Sequence, residues 1–290
     1  ADELLVKVND FLDHLQYNRK PEGLYAPVKY VLSMGGKRIR PTLMLLAYNL
    51  YKDDPESVLM QACALETYHN YTLLHDDLMD NAEMRRGHET VHKRWDANTA
   101  ILSGDSMLVL AYERMAKCRE VYLQDVLHTF TETALEIGEG QQYDMDFETR
   151  NDVTEAEYIE MIRLKTAVLL ACALKMGTIL ADAPDDDQQT IYSLGIALGM
   201  AFQLKDDYLD TYGTTETLGK RVGDDILSYK KTFLLLTALH NADDTQKKRL
   251  ISAMSAKDIT DEQKIKTVTQ IYNELDIPKI CEKVIDEYYI

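Results

Sequence analysis

The stretch Leu73–Asp80, with the sequence LLHDDLMD, places three carboxylates inside an otherwise apolar run. Neither glycine nor proline occurs between Pro55 and Gly87, and the apolar residues do not alternate, so the pattern predicts a helix. On a helix, Asp76 and Asp80 share one face, with Cβ atoms roughly 5–6 Å apart. Because the flanks are apolar, we expect this face to look into a cavity and to need a cation.

The same arrangement of carboxylates returns in Phe202–Asp210, with the sequence FQLKDDYLD, where Asp206, Asp207 and Asp210 repeat the spacing. In a chain this acidic, a single DDxxD is most often a solvated helix face, whereas two copies in apolar, helix-like runs favour a function. Hard carboxylate oxygens suit Mg²⁺, which keeps several waters and is usually completed by substrate phosphates. Together the motifs lead to the hypothesis that two carboxylate-lined helices face each other, with Mg²⁺ and a diphosphate between them.

Charge and cysteine content restrict the possible partners and location of the protein. The 290 residues carry a net charge of −17, which argues against nucleic acid or an anionic membrane surface as a partner. An anionic substrate therefore requires local cations. The four cysteines are scattered without CxxC spacing, which indicates no disulfides and favours the reducing cytoplasm. No apolar run approaches the ~18 residues of a membrane span, so we expect no transmembrane helix.

Low glycine and proline content predicts an all-α fold. The chain has thirteen Gly and six Pro, with no proline between Pro55 and Pro184, which favours long helices over strands and turns. We predict one all-helical domain over 1–290, a large helical bundle with its active site in a central cavity. The predicted helices cover about 2–17, 26–33, 38–51, 56–82, 90–117, 120–148, 154–181, 187–212, 224–241, 243–254, 260–274 and 278–289.

Two basic segments carry charge that a phosphate could use. In GGKRIRP, residues 35–41, the paired glycines leave room for a phosphate to approach, and Lys37 and Arg40 supply charge. Taken alone, this pattern fits an ordinary exposed turn better. The pair Arg85 and Arg86 directly follows the first aspartate motif. A surface salt-bridge network is one explanation of this pair, but beside a Mg²⁺–diphosphate site we favour bidentate phosphate binding.

Further polar residues lie within or beside the apolar helical runs. Lys165 could extend its side chain to solvent or present its ammonium to a phosphate oxygen. Gln203 precedes the second aspartate motif by one turn and could hydrogen-bond the same ligand. Lys220 and Lys230 flank a polar loop that is either a lid or an ordinary surface loop.

Three side chains precede the first aspartate motif on the same helix. His69 lies two turns before Asp76 on the same face, although a lone helix histidine is usually a core or rim residue. Tyr68 and Tyr71 lie below the aspartates by roughly 7–12 Å of helix rise. These tyrosines are either simple core aromatics or the floor of an apolar pocket that limits an elongating chain.

With these motifs in this order, the chain resembles the all-trans isoprenyl diphosphate synthases, the family of farnesyl and geranylgeranyl diphosphate synthases. The resemblance runs essentially end to end. It is carried by GGKRIRP at 35–41, LLHDDLMD at 73–80, RRG at 85–87, LSGD at 102–105, GQQYD at 140–144, KT at 165–166, FQLKDDYLD at 202–210, and GK…GDD…KKT at 219–232. It implies a Mg²⁺-dependent trans-prenyltransferase that condenses isopentenyl diphosphate with an allylic diphosphate and releases diphosphate.

The resemblance also implies a role for each matching residue. Asp76, Asp80, Asp206 and Asp210, with Asp77 and Asp207 nearby, would hold about three Mg²⁺ on the allylic diphosphate. That diphosphate would contact Arg85, Lys165, Thr166, Gln203, Lys220 and Lys230. Isopentenyl diphosphate would bind Lys37, Arg40, His69 and Arg86. The catalytic set implied in this way comprises Asp76, Asp77, Asp80, Arg85, Lys165, Asp206 and Lys220, and the proton is lost to the departing diphosphate.

Two departures from the family pattern bear on product length and on the loop. The first motif lacks the two extra residues common in bacterial farnesyl synthases, and Tyr229 stands where the family often has Gly before Lys230. Tyr71, five residues before the first aspartate, is the family sign of a short product. With Tyr68 one turn deeper, it predicts farnesyl or geranylgeranyl length. The family also implies a homodimer.

Two other functions are consistent with aspartate-rich helices. A class I terpene cyclase or head-to-head synthase shares these motifs, but we would not expect it to need GGKRIRP and RRG for a second diphosphate. A non-catalytic subunit of a heteromeric synthase typically loses one aspartate motif, and this chain has both.

Overall fold

Helices account for nearly all regular structure in the computed structural model, which describes residues 2–15, 19–214 and 222–289. The predicted all-α fold is therefore confirmed. Across the described residues, strands occur only in the hairpin β1 (Met84–Arg85) and β2 (His88–Glu89). The helices are α1 (Asp2–His14), α2 (Glu22–Ser33), α3 (Ile39–Tyr48), a 3₁₀ turn (Pro55–Val58), α4 (Leu59–Met79), α5 (Val91–Arg94), α6 (Ala97–Met115), α7 (Glu120–Thr149), α8 (Glu155–Ile162), a π-helical segment (Arg163–Ala167), α9 (Val168–Leu180), α10 (Asp185–Tyr212), α11 (Asp224–Leu227), α12 (Phe233–Asn241), α13 (Asp244–Ser255), α14 (Asp261–Glu274) and α15 (Ile277–Glu287).

Contacts between Cα atoms divide the chain into two compact units. The first comprises Ala1–Glu132 with Cys172–Tyr192, and the second comprises Thr133–Ala171 with Ser193–Ile290. The single domain over 1–290 stays a prediction, and each unit is described by itself.

Helix α4 is the centre of the first unit and determines where the first aspartate motif lies. It packs most extensively on α6 and also contacts α1, α2 and α3. Nearly every side chain from Gln61 to Asn70 is buried, as expected for a helix surrounded by other helices. Leu74 still belongs to the apolar core, whereas Met79 and Asp80 are exposed. The aspartates therefore lie where α4 leaves the core.

The second unit is built around an apolar cluster from α8, α10, α12, α14 and α15. Tyr158, Leu204, Leu235 and Ile271 are among its fully buried members. Along α10, Gly195 packs directly on Ala171 and Gly199 on Ala167, since a Cβ at either glycine would overlap the facing alanine. This close approach holds the middle of α10 against the segment Ala167–Ala171, and the second aspartate motif follows in the last turns of α10.

The predicted helix over 154–181 contains a π-helical segment, Arg163–Ala167, that periodicity did not reveal. Gly140 of α7 packs against the backbone of Lys165 in this segment, with no room for a Cβ. Because a π turn accommodates one extra residue, it changes the directions of Lys165 and Thr166 relative to a continuous α-helix. The helix start was predicted correctly, with the capping box of Thr154 and Glu157 present.

Two other predicted helices are interrupted. The helix predicted over 90–117 breaks after α5, and Asp96 begins α6 as its N-cap by accepting a hydrogen bond from Thr99 N. The helix predicted over 224–241 is split into α11 and α12 by residues 228–232. In both cases apolar periodicity continues across a break that local capping and backbone conformation create.

We predict that Gly199→Ala lowers the free energy of unfolding by about 1–3 kcal/mol, because the added methyl would lie 2.5 Å from Ala167 Cα. Gly138→Ala is the matched control, since Gly138 is exposed within α7 and nothing surrounds its missing Cβ. That substitution should raise stability by about 0.5–1 kcal/mol through helix propensity. Urea denaturation of both variants measures the contrast, and equal effects would contradict the proposed close packing.

Candidate active site

The first aspartate cluster, Asp76, Asp77 and Asp80, shows a clear division of burial. Asp77 is buried, Asp76 is half-buried and Asp80 is exposed. Asp80 N donates to Asp76 O at 2.9 Å, so the two residues lie one turn apart at the end of α4, as predicted. Arg85 donates to Asp77 Oδ1 from Nε at 2.9 Å and from Nη2 at 2.5 Å, and lies 3.9 Å from Asp76. Burial raises the pKa of Asp77, and the Arg85 guanidinium opposes that rise.

The side chains of Arg85 and Arg86, at the turn of the β1–β2 hairpin, contact different parts of the protein. Its two loop residues, Arg86 (φ 52°) and Gly87 (φ 78°), both have positive φ, as in a type I′ turn. Arg85 reaches back to the first aspartate cluster, whereas Arg86 Nη1 donates to Gly35 O. Arg85 thus pairs with carboxylates of the first aspartate cluster, and Arg86 contacts the glycine loop.

Arg40, His69 and Arg86 form a second group, here called the guanidinium pocket, beside the glycine loop. A Cβ at Gly36 would lie 2.7 Å from Arg86 Cζ, so only glycine allows this approach. Arg40 Nη1 lies 3.1 Å from His69 Nε2. Arg40 Nε is buried and, within the described residues, has no hydrogen-bond partner. An anion that entered here would supply the missing acceptor. Lys37 lies in the same loop with an exposed side chain.

Burial and the charge of the guanidinium pocket keep His69 neutral. Burial and then the neighbouring arginines, Arg40 and Arg86 first, lower the pKa of His69 well below its usual value. A guanidinium can only donate, so His69 accepts through Nε2 and carries its proton on Nδ1. Burial also lowers the pKa of Arg40 to about 10, with Glu66 opposing the change and Arg86 adding to it. The pocket therefore concentrates positive charge without a protonated histidine.

The second aspartate cluster, Asp206, Asp207 and Asp210, is buried more deeply than the first. Asp206 is exposed, whereas Asp207 and Asp210 are buried. Asp207 accepts hydrogen bonds from Tyr158 OH and, at 3.0 Å, from Gln203 Nε2. Asp210 Oδ2 accepts from Asp225 N at 3.0 Å, at the start of α11. In both clusters the middle aspartate, Asp77 or Asp207, is held by protein donors.

Electrostatics in the second cluster favour a proton on Asp207. Burial raises its pKa to about 7 despite the hydrogen bond from Tyr158, and Asp225 adds to the rise while Lys230 and Gln203 oppose it. A carboxyl in this state changes charge near neutral pH.

The predicted basic and polar residues of the second unit lie close to this cluster. Thr166 Oγ1 donates to Gln203 Oε1 at 3.1 Å, which links Thr166 through Gln203 to Asp207. Lys165 Nζ donates to Asp144 Oδ2 at 2.6 Å. Burial would raise the pKa of Asp144, but Lys230 and Lys165 lower it overall, so both ammonium groups lie near that carboxylate. Lys220 lies outside the described residues.

Tyr229, the residue that departs from the family pattern, adopts a left-handed conformation with φ 56°. Glycine takes this conformation without strain, whereas a bulky side chain disfavours it. Lys231 Nζ lies 4.9 Å from the centre of its ring. The backbone here thus has the shape that a glycine would favour, and the side chain contributes packing instead.

Aromatic rings in edge-to-face and tilted contact form a continuous column that begins at His75, next to the first aspartate cluster. The Tyr71 ring lies 4.8 Å from the His75 ring and 5.4 Å from the Tyr68 ring, between ring centres. The column continues from Tyr68 to Phe130 at 5.0 Å and from Phe130 to Tyr112 at 4.8 Å, again between ring centres. Tyr71 is half-buried, and Tyr68 is fully buried. The two residues predicted to set chain length are therefore the upper part of one aromatic column.

Both aspartate clusters suit a hard cation, and helix geometry adds a reason. Asp76 and Asp77 lie in the last turn of α4, and Asp206, Asp207 and Asp210 in the last turns of α10. Helix C-termini carry partial negative charge, so each carboxylate there is disfavoured until a cation binds. No three metal-ligating side chains converge within the part of the chain described. Carboxylates from few residues, completed by water and substrate phosphates, are typical of Mg²⁺.

Several structural partners were not found from the sequence. Tyr158 and Asp144 hold Asp207 and Lys165, and Arg38 and Glu66 form a buried pair beside the guanidinium pocket. Of these, Glu66 had a usable signal, because a carboxylate inside the apolar run before His69 requires a buried partner. Nothing in the local sequence indicated that Tyr158 would reach Asp207.

Comparisons with known proteins decide the family. The model of the polyprenyl synthetase family matches residues 21–273. The chain belongs to this family. It is 40% identical over 261 residues to a short chain isoprenyl diphosphate synthase of Methanocaldococcus jannaschii, covering 90% of this chain and 79% of that protein. It is 40% identical over 233 residues to a geranylgeranyl diphosphate synthase of Methanosarcina mazei, covering 80% and 72%. A solved geranylgeranyl pyrophosphate synthase superposes with a TM-score of 0.89 at 44% identity, covering 99% of this chain and 86% of that one.

The resemblance stated from the motifs is thereby confirmed, and so is the enzyme class of trans-prenyltransferase, with diphosphates as substrates. The assignments of individual site residues stay predictions. Through the described residues, no helix has both the length and the apolar character that crossing a bilayer requires.

We predict that Asp207→Asn stabilises the metal-free protein, and more strongly at pH 8 than at pH 5. An unfolded aspartate titrates near pH 3.9, so the folded protein retains a proton between about pH 4 and 7 that the unfolded chain has lost. Stability from this group is present at low pH and is lost as pH rises through about 7. The neutral amide avoids that loss and should gain about 2–4 kcal/mol at pH 8. Denaturation in EDTA at both pH values measures this. Exposed Asp206→Asn is the control, and a gain independent of pH would contradict the prediction.

Proposed function

We propose that this prenyltransferase condenses isopentenyl diphosphate with an allylic diphosphate, either dimethylallyl, geranyl or farnesyl diphosphate. The product is an all-trans prenyl diphosphate of farnesyl or geranylgeranyl length, made for isoprenoid biosynthesis. The observation that carries the proposal is the pair of aspartate clusters at helix C-termini, joined in one chain with a separate guanidinium pocket. The allylic diphosphate needs metal ions to depart as a leaving group. Isopentenyl diphosphate keeps its diphosphate and needs cations only to bind it.

Asp76, Asp80, Asp206 and Asp210 would hold the metal, about three Mg²⁺ shared with the allylic diphosphate. Bound Mg²⁺ supplies Lewis-acid stabilisation of the departing diphosphate. Asp210 also accepts from the amide of Asp225, so it ties α11 to the cluster. Because Asp207 is held by Tyr158 and Gln203, we assign it to orienting the cluster rather than to direct ligation.

Basic residues of the chain neutralise charge as the carbon–oxygen bond of the allylic substrate breaks. Lys165 and Lys230 lie near Asp144 and would turn to the allylic diphosphate, with Arg85 and Lys220 as further cations. The electron pair of the broken bond leaves with the diphosphate. The alkene of isopentenyl diphosphate then attacks the allylic carbon, and one proton is lost, which the released diphosphate accepts. Thr166 and Gln203, already hydrogen-bonded to each other, present oxygen atoms that can stabilise developing positive charge.

The guanidinium pocket suits isopentenyl diphosphate, which must keep its diphosphate. Arg40 and Arg86 supply planar donors that pair with phosphate oxygens, and His69 can donate through Nδ1. Without carboxylates turned to the ligand, such a pocket binds a diphosphate and does not activate it. This distinction supports a synthase over a terpene cyclase, which handles a single diphosphate.

The deciding experiment incubates purified protein with Mg²⁺, isopentenyl diphosphate and each allylic diphosphate. We expect an elongated prenyl diphosphate and one inorganic diphosphate for each bond formed. Asp206→Asn should lower kcat at least about a hundredfold, because it removes a metal-binding carboxylate. Asp186→Asn removes an exposed carboxylate from the other end of α10 and serves as the control. A hydrocarbon product would indicate a cyclase, and turnover only with a second protein would indicate a subunit.

We predict that Tyr71→Ala lengthens the product by at least one five-carbon unit, because it removes the uppermost tyrosine of the aromatic column. Tyr71→Phe keeps the ring and should retain the original length. Chromatography of radiolabelled products distinguishes the two outcomes. If the alanine variant makes products of unchanged length, Tyr71 is not the floor of the pocket.

We also propose that the protein is a cytoplasmic homodimer. Ile101, Leu102 and Val109 leave an exposed apolar stripe on α6, with Val109 66% exposed, and a second copy would cover it. All four cysteines are free thiols, which suits a reducing compartment. Light scattering should give twice the chain mass, and a monomeric mass would contradict the dimer.

A further inference from the structure

A buried ion pair lies directly behind the guanidinium pocket. Arg38 and Glu66 have side chains only 3% and 2% exposed, and Arg38 Nη1 donates to Glu66 Oε1 at 2.7 Å. The other donors of Arg38 reach Leu32 O at 2.7 Å and Asn9 Oδ1 at 3.3 Å. Arg38 therefore joins α1, the end of α2 and α4 at a single point. Its backbone has a left-handed conformation, with φ 47°, which is unfavourable for a residue other than glycine.

From Glu66, hydrogen bonds continue to Arg86. Asn70 Nδ2 donates to both Glu66 O, at 2.8 Å, and Glu66 Oε1, at 3.0 Å. This fixes the amide so that Asn70 Oδ1 faces Arg86 Nη1 at 3.4 Å. Arg86 Nη1 also donates to Gly35 O, three residues before Arg38. The path from Arg38 through Glu66, Asn70 and Arg86 thus returns to the loop where it began, and closes a ring.

Glu66 is also the anionic member of a crowded set of cations. The set comprises Arg38, Arg40 and Arg86. Burial lowers the pKa of both Arg40 and Arg86, whose positive charges repel each other, and the Glu66 carboxylate opposes that lowering. Without an internal carboxylate, these guanidinium groups would separate until an anion arrived. A pocket assembled in advance avoids that cost at binding.

We propose that Glu66, Arg38 and Asn70 are positioning residues for isopentenyl diphosphate, because the ring they form holds Arg86 and the glycine loop in the binding arrangement before substrate enters. They do not touch the substrate themselves. The inference rests on the proposed function, since it concerns the diphosphate assigned to the guanidinium pocket.

The test compares Michaelis constants for the two substrates in Glu66→Gln and Asn70→Ala. Glu66→Gln keeps the side-chain shape and removes the charge, whereas Asn70→Ala leaves the charge of Glu66 in place and removes the side-chain hydrogen bonds of Asn70 to Glu66 and Arg86. We expect the KM for isopentenyl diphosphate to rise about tenfold or more in both, because Glu66→Gln removes the charge that pairs with Arg38 and Asn70→Ala removes the hydrogen bonds to Glu66 and Arg86. The KM for the allylic diphosphate should change less than about twofold. Calorimetric titration with isopentenyl diphosphate in EDTA should show the same loss of affinity without turnover.

Thr67→Val is the matched control, because Thr67 is a fully buried polar residue of the same helix that bonds to Cys63 and Arg114 outside the ring. It should lower thermal stability without separating the two KM values. If Glu66→Gln fails to fold, the uncharged Asn70→Ala decides the question. Unchanged KM values, or equal rises for both substrates, would overturn the positioning role. If the wild-type protein makes no prenyl diphosphate, the proposed function fails instead.

Discussion

Charged groups inside a helical protein must be paired, and this requirement organises both units of the chain. Moving a carboxylate or guanidinium out of water costs more free energy than a single poorly formed contact recovers. Asp77 is therefore held by Arg85, Glu66 by Arg38, and Asp207 by Tyr158 and Gln203. The carboxylates on the exposed side of each aspartate motif, Asp76 and Asp80 in one and Asp206 in the other, remain accessible for a metal.

This division explains why two motifs with one spacing have different surroundings. In each, the middle aspartate is buried and accepts hydrogen bonds from protein donors, and the first is more exposed than the middle one. The last aspartates differ between the motifs. Asp80 is exposed at the end of α4, whereas Asp210 is buried and accepts a hydrogen bond from Asp225 N at the start of α11. Identical sequence spacing thus fixes which residues share a helix face, and the neighbouring elements decide what each carboxylate does.

The sequence was sufficient for the helical architecture and for placing both aspartate motifs on helices. Long proline-free stretches and the two aspartate motifs lie on helices because their determinants are local. The partners of those residues come from distant segments, as Tyr158 does for Asp207, so periodicity cannot reveal them. Likewise, the π-helical segment and the breaks after α5 and α11 arise from packing and capping, which override a continuous apolar pattern.

The widened turn at Arg163–Ala167 restricts how this chain can change in length during evolution. Deleting one residue there would restore an ordinary α-helix and leave the side chains of α9 facing as before, because the widened turn absorbs that residue. A deletion elsewhere in the helix would instead rotate every side chain beyond it by about 100°. Removing the widened turn would still change the directions of Lys165 and Thr166, which lie within it. Gly140 fits against this turn, so a larger residue at 140 would be tolerated only with a compensating change in the turn itself. Residue 140 and the residues of the widened turn are therefore expected to vary together.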